Sequence, residues 1–80
     1  MRAYVFVETK AGKARAVAET LHSINLTAAR VLSVETVTGP WDVITIIEGT
    51  DTEGLGQVIA EKIQKIDGVE RTMSSFAFRD

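Results

Sequence analysis

The chain has 80 residues, nine Lys+Arg against eleven Asp+Glu, one His, one Pro, six Gly and no Cys. That length holds one domain, residues 1–80, and a formal net charge of -2 speaks against nucleic acid as the main partner, because neutralising phosphates needs a basic excess. The lack of Cys excludes disulfides, thiolate metal sites and a Cys nucleophile; with no membrane span and no secretory leader in the pattern, the expected location is cytoplasmic.

Residues 3–9 (Ala-Tyr-Val-Phe-Val-Glu-Thr) are β-branched and aromatic and predict a first strand. The period then changes. Ala14, Val17, Ala18, Leu21 and Ile24 fall at i, i+3, i+4, i+7 and i+10, one face of a helix that ends near Asn25. Residues 30–37 read as a second strand, Thr38-Gly39-Pro40 as a turn, and residues 41–48 (Trp-Asp-Val-Ile-Thr-Ile-Ile-Glu) as a third strand. Leu55, Val58, Ile59, Ile63 and Ile66 make a second helical stripe. Thr50 with Glu53 has the spacing of a capping box, and Asp51 is the alternative cap. Gly68 suits the left-handed position that stops a helix. Residues 69–78 are a fourth strand.

The order β-α-β-β-α-β predicts an α+β, ferredoxin-like split βαβ fold. Right-handed crossovers place both helices on one face of a four-stranded antiparallel sheet. The first and third strands are nevertheless apolar on both faces: Ala3, Val5 and Val7 alternate with Tyr4 and Phe6, and Trp41, Val43, Thr45 and Ile47 with Asp42, Ile44, Ile46 and Glu48. A solvated sheet face should be polar. The open face is therefore expected to meet the same face of a second subunit in a two-fold dimer.

Catalytic and metal constellations are thin. His22 is the one His, and no His pair or His–Cys spacing offers a transition-metal site. Gly54-Leu55-Gly56 lacks the third Gly and the Lys-Ser/Thr ending of a phosphate loop, and Asp51 and Glu53 would repel a phosphate. An RNA-recognition module shares the element order, but its aromatic signature is incomplete here. No cofactor is expected. One segment carries chemistry. In Thr38-Gly39-Pro40-Trp41-Asp42, Gly39 can take positive φ and turn backbone N–H groups toward a ligand. Asp42 is an acceptor for an ammonium group, and Trp41 is a large aromatic wall. Such a turn could hold a small zwitterion. The plainer reading is a β-turn with a packed Trp and a capping Asp.

Two stretches carry a family resemblance. Residues 34–43 read Val-Glu-Thr-Val-Thr-Gly-Pro-Trp-Asp-Val, and Ile59, Ile63, Ile66, Gly68, Val69 and Thr72 follow in an I-x-x-x-I-x-x-I-x-G-V-x-x-T pattern. In this spacing and element order the chain resembles the effector-binding (RAM) domain of the Lrp/AsnC feast/famine transcriptional regulators, over nearly its whole length. The resemblance implies a non-enzymatic module that binds a free amino acid between dimers, the dimers assembling into rings of four or five (an octamer or a decamer). It implies ligand contacts at Thr38, Gly39, Trp41 and Asp42, with Thr72 and Ser74 as further lining residues. Regulators of that family carry an N-terminal helix-turn-helix domain, whereas the first sheet strand here starts at Arg2 or Ala3. The chain thus resembles a stand-alone member, without direct DNA contact, that senses amino acids or co-assembles with a full-length regulator. The rival reading is a dimeric α+β barrel enzyme for a small apolar substrate, with His22 as its base. An ACT-like amino-acid-binding domain is a third, disfavoured by the Thr-Gly-x-Trp-Asp turn.

Overall fold

The computed structural model describes residues 1–78. Its elements are β1 (Arg2–Thr9), α1 (Ala14–Ser23), β2 (Ala29–Thr36), β3 (Val43–Gly49), α2 (Thr52–Val58) and β4 (Val69–Ala77), with a π-helical segment, Ile59–Ile63, continuing α2. The strands form one antiparallel sheet in the order β2-β3-β1-β4. Each helical connection therefore joins two parallel strands across an antiparallel neighbour, the split βαβ arrangement expected from the element order.

The sheet has one dry face. Ala3, Val5 and Val7 of β1 and Val43, Thr45 and Ile47 of β3 are buried with Val17, Ala18 and Leu21 of α1 and Leu55, Val58, Ile59, Ile63 and Ile66 of the second helical stretch. Burying one such Val, Leu or Ile contributes about 1.5–3 kcal/mol, and this layer is the main force holding so short a chain together. Tyr4, Phe6, Ile44 and Ile46 occupy the other face and stay half-exposed.

Edge strand β2 carries a bulge. Val31 pairs with Ile47, but Ser33 pairs with Ile46, so Leu32 is the extra residue. The slip changes which side chains face the helices. Val31 and Val34, three positions apart, both pack on the core. The one fully buried polar side chain among the described residues, Thr45, donates its hydroxyl to Ser33 O at 2.8 Å, so its burial leaves no unmet hydrogen bond.

Of the two caps the sequence offers for the second helix, Asp51 is the one used: its side chain accepts from Gly54 N at 2.7 Å. Such a cap contributes about 1 kcal/mol. The helix is not uniform. On an α-helix the stripe Leu55–Ile59–Ile63 drifts by about 80° in two steps of four. The π turn, marked by Gln64 N donating to Ile59 O at 2.9 Å, absorbs that drift and keeps all three side chains on the core. Gly54 and Gly56 lie inside α2, as its loose first turns. Gly68, with φ +98°, makes the left-handed turn into β4, as expected.

Candidate functional site

The end of the sheet where β2 turns into β3 gathers most of the residues singled out in the sequence. The strands stop at Thr36 and resume at Val43, so Trp41 and Asp42 lie in the loop and not in the strand predicted to start at residue 41. The loop is closed by Val37 N–H donating to Asp42 O at 2.9 Å and tied to β1 by Asp42 N–H donating to Val7 O at 2.9 Å. A third bond comes from the side chain: Thr9 N–H donates to Asp42 Oδ2 at 2.8 Å. Asp42 thus holds the ends of three strands.

Inside that frame, residues 38–41 are open. Gly39 has φ +119°, and a Cβ at this position would meet nothing within 4 Å; Thr38, Gly39 and Pro40 are exposed. The N–H groups of Thr38, Gly39 and Trp41 make no hydrogen bond among the described residues. A shallow, open cleft of about 500 Å³, lined by Thr36, Val37 and Thr38, begins at the first of these residues. Main-chain donors beside open space can receive a carboxylate. A second hollow, of about 610 Å³, is at the far end of the sheet, lined by Met1, Arg2, Tyr4, Glu48, Ala77 and Phe78. Four of its six lining residues, Arg2, Tyr4, Glu48 and Ala77, lie in paired strands.

Trp41 departs from strand alternation. Alternation put it in one row with Val43, Thr45 and Ile47, the row that the structure turns toward the helices. Instead its ring sits 6.1 Å from that of Phe6, on the open face, and the Arg71 guanidinium carbon lies 4.9 Å from its centroid. Arg71 Nε donates to Glu8 Oε1 at 2.8 Å. Being outside β3 frees Trp41 from the pleat, and the apolar wall of Phe6 with the cation above it sets its place. The sequence gives no sign that Phe6, Glu8, Arg71 and Thr9 belong beside this turn. Only the register of β4 against β1, which pairs Glu8 with Arg71, brings them together.

Thr72 and Ser74 stand elsewhere. They pair with Val7 and Val5, whose side chains face the helices, and Thr72 Oγ1 accepts from Gln64 Nε2 at 2.9 Å. Thr36, Val43, Val7 and Thr72 form one row across the sheet. Thr72 is therefore three strand spacings, about 14 Å, from Thr36. One protomer does not bring these two residues to the turn.

Charges cluster at both ends of the open face. At the end opposite the turn, Arg30 pairs with Glu48 at 2.9 Å, and Arg2 lies 3.8 Å from the same carboxylate. The Arg30 hydrogen bond holds the Glu48 carboxyl below the ordinary carboxylate range. The small stability this gives is present above the unfolded-state value and lost as pH falls through the lowered one. His22, the base of the rival reading, is exposed on α1. Among the described residues no three His, Cys, Asp or Glu gather as a metal site, and no helix is long and apolar enough to cross a membrane.

Known proteins resemble this chain in sequence and fold. An uncharacterised helix-turn-helix-type transcriptional regulator of Pyrococcus furiosus is 31% identical over 48 residues, which is 60% of this chain and 32% of that protein. The chain thus matches about a third of that relative's length. The crystal structure of the protein FFRP-DM1 superposes with a TM-score of 0.85 at 31% identity, covering 96% of this chain and 97% of that one. A transcriptional regulator of Neisseria meningitidis, solved as an L-Met complex, superposes with a TM-score of 0.80 at 23% identity, covering 99% of this chain and 50% of that one. Its likeness is one of fold. The sequence model of the Lrp/AsnC ligand binding domain matches residues 2–80, and the chain belongs to that family.

Proposed function

We propose that this protein is a non-enzymatic effector module: it binds a free amino acid at the Thr38–Asp42 turn and converts occupancy into a change of assembly. The observation that carries the reading is the set of unpaired backbone N–H groups at Thr38, Gly39 and Trp41 in an exposed turn framed by Asp42, with Thr38 lining a shallow cleft. Thr38, Gly39, Trp41 and Asp42 form the binding element. The family supports this reading, as does the L-Met complex of the Neisseria regulator.

Assembly starts from the open sheet face. A second copy covers Tyr4, Phe6, Ile44, Ile46 and Met73, of which Met73 is 47% exposed in the single chain. The face suits a two-fold partner because each end carries its own opposite charges, Glu8 with Arg71 and Glu48 with Arg30. Dimers then join into rings of eight or ten chains, with the amino acid at contacts between dimers. The module works in the cytoplasm, and its transcriptional output passes through a helix-turn-helix regulator of the same family. Ligand bound across subunits favours one assembly over another by about 1–3 kcal/mol.

A thermal-shift screen against each of the twenty amino acids at millimolar concentration tests the binding claim. A ligand at about 100 times its Kd adds roughly 2.7 kcal/mol of stability. We expect one or a few amino acids to raise the melting temperature by about 10 °C or more. A flat response to all twenty contradicts amino-acid binding.

A further inference from the structure

The Asp42 carboxylate is the obvious receptor for an amino acid's ammonium group, but the structure gives it another employment. Its Oδ2 accepts the Thr9 N–H at 2.8 Å, across 33 residues of sequence. That amide needs a partner. Thr9 is the last residue of β1, and the β1–β4 ladder slips there: Glu8 pairs with Arg71 but Thr9 with Val69. The Asp42 main chain meanwhile binds Val7 O on one side and Val37 N on the other. Side chain and backbone together pin the loop to two neighbouring strands, and only residues 38–41 are left free between the pins.

We infer that Asp42 is a positioning residue of the effector turn, acting through the Thr9 amide and not through a charge–charge contact with the ligand. This rests on the reading of the Thr38–Asp42 turn as the binding element and assigns the work within it, Asp42 included. Main-chain N–H groups of Thr38, Gly39 and Trp41 contact the ligand carboxylate, and Asp42 holds them in place. The feature of Asp42 that matters is then a carbonyl-type oxygen at the right distance, not a negative charge. Asparagine has that oxygen and alanine does not.

The test compares wild type, Asp42→Asn and Asp42→Ala. Hydrogen exchange at the Thr9 amide reads the tie. Calorimetric titration with each amino acid that shifts wild type in the thermal screen reads binding. We expect Asp42→Asn to keep Thr9 protected and to keep Kd within about threefold of wild type. Asp42→Ala should expose the Thr9 amide to exchange and weaken binding at least tenfold. Rescue by asparagine separates positioning from a charge contact, because both variants remove the charge equally. If Asp42→Asn protects Thr9 yet loses binding tenfold or more, the carboxylate touches the ligand and the inference is overturned. Full binding by Asp42→Ala overturns it as well, by giving Asp42 no part. Should Asp42→Ala not fold, the asparagine variant alone decides between the first two outcomes. If wild type itself binds none of the twenty amino acids, the effector reading fails and takes the inference with it, while Thr9 exchange still reports whether the tie exists.

Discussion

Gly68→Ala is expected to lower the melting temperature by roughly 10–20 °C. Two costs fall on one methyl group. Gly68 has φ +98°, where a Cβ meets its own backbone. The same Cβ would also lie 2.9 Å from Lys13 Cβ and 3.2 Å from Val17 Cγ2. Lys13 Cβ is attached directly to the backbone at the start of α1, so it cannot swing aside; the helix must shift. Gly68 O also accepts the Lys10 N–H at 2.8 Å, which anchors the turn leading into α1. Together the strain and the contact should cost about 2–3 kcal/mol, a large share of the stability of a domain this size. Gly39→Ala is the internal comparison. Its φ of +119° is also positive, but nothing lies within 4 Å of the added carbon. Thermal melts should therefore show a clearly smaller loss for Gly39→Ala. Equal losses would mean that the close approach of Gly68 to α1 contributes nothing.

Ile46→Lys is expected to leave the fold intact and abolish the proposed dimer. Ile46 pairs with Tyr4 and Ser33 in the middle of the open face, while its neighbours Thr45 and Ile47 point into the core. The single chain can keep a lysine ammonium there in water. A face-to-face dimer cannot, and a two-fold axis brings the charge in twice. An uncompensated buried charge costs about 3–5 kcal/mol, which raises the dissociation constant at least about a hundredfold. Far-UV circular dichroism should be unchanged, and sedimentation should give a monomer at micromolar concentration. A dimer that persists would place the interface elsewhere.

Much of the fold was legible because hydrophobic period and burial agree. The stripe Val17, Ala18 and Leu21 and the row Ala3, Val5 and Val7 are both buried, and β-α-β-β-α-β follows from the order of such segments. The details that were not legible are those that need a partner strand. The Leu32 bulge, which turns Val31 and Val34 to one face, depends on pairing with β3. The π turn at Ile59–Ile63 exchanges helix geometry for core contact, and a stripe at i, i+4 and i+8 shows the strain without showing its resolution. The choice of Asp51 over Thr50 as the cap is one between adjacent acceptors, both offered by the sequence, that spacing alone does not make.

The candidate site divides the same way. The turn itself shows in Thr38-Gly39-Pro40, because glycine and proline mark it locally. The bond from Thr9 to Asp42 spans 33 residues and leaves no local signal. Trp41 reads as a strand residue by alternation, but outside the ladder its ring follows Phe6 and Arg71 to the open face. Thr72 and Ser74, which the resemblance implies as further lining residues, pair with Val7 and Val5 and face the helices of their own protomer.

The central claim is that an amino acid and a second copy of the chain are linked ligands of this domain. Sedimentation equilibrium of the unmodified protein tests it most directly, run over micromolar concentrations with and without the amino acid identified by thermal shift. The account predicts a dimer or larger ring throughout, with a mass distribution that the amino acid displaces. A monomer at every concentration, unchanged by the amino acid, would contradict it.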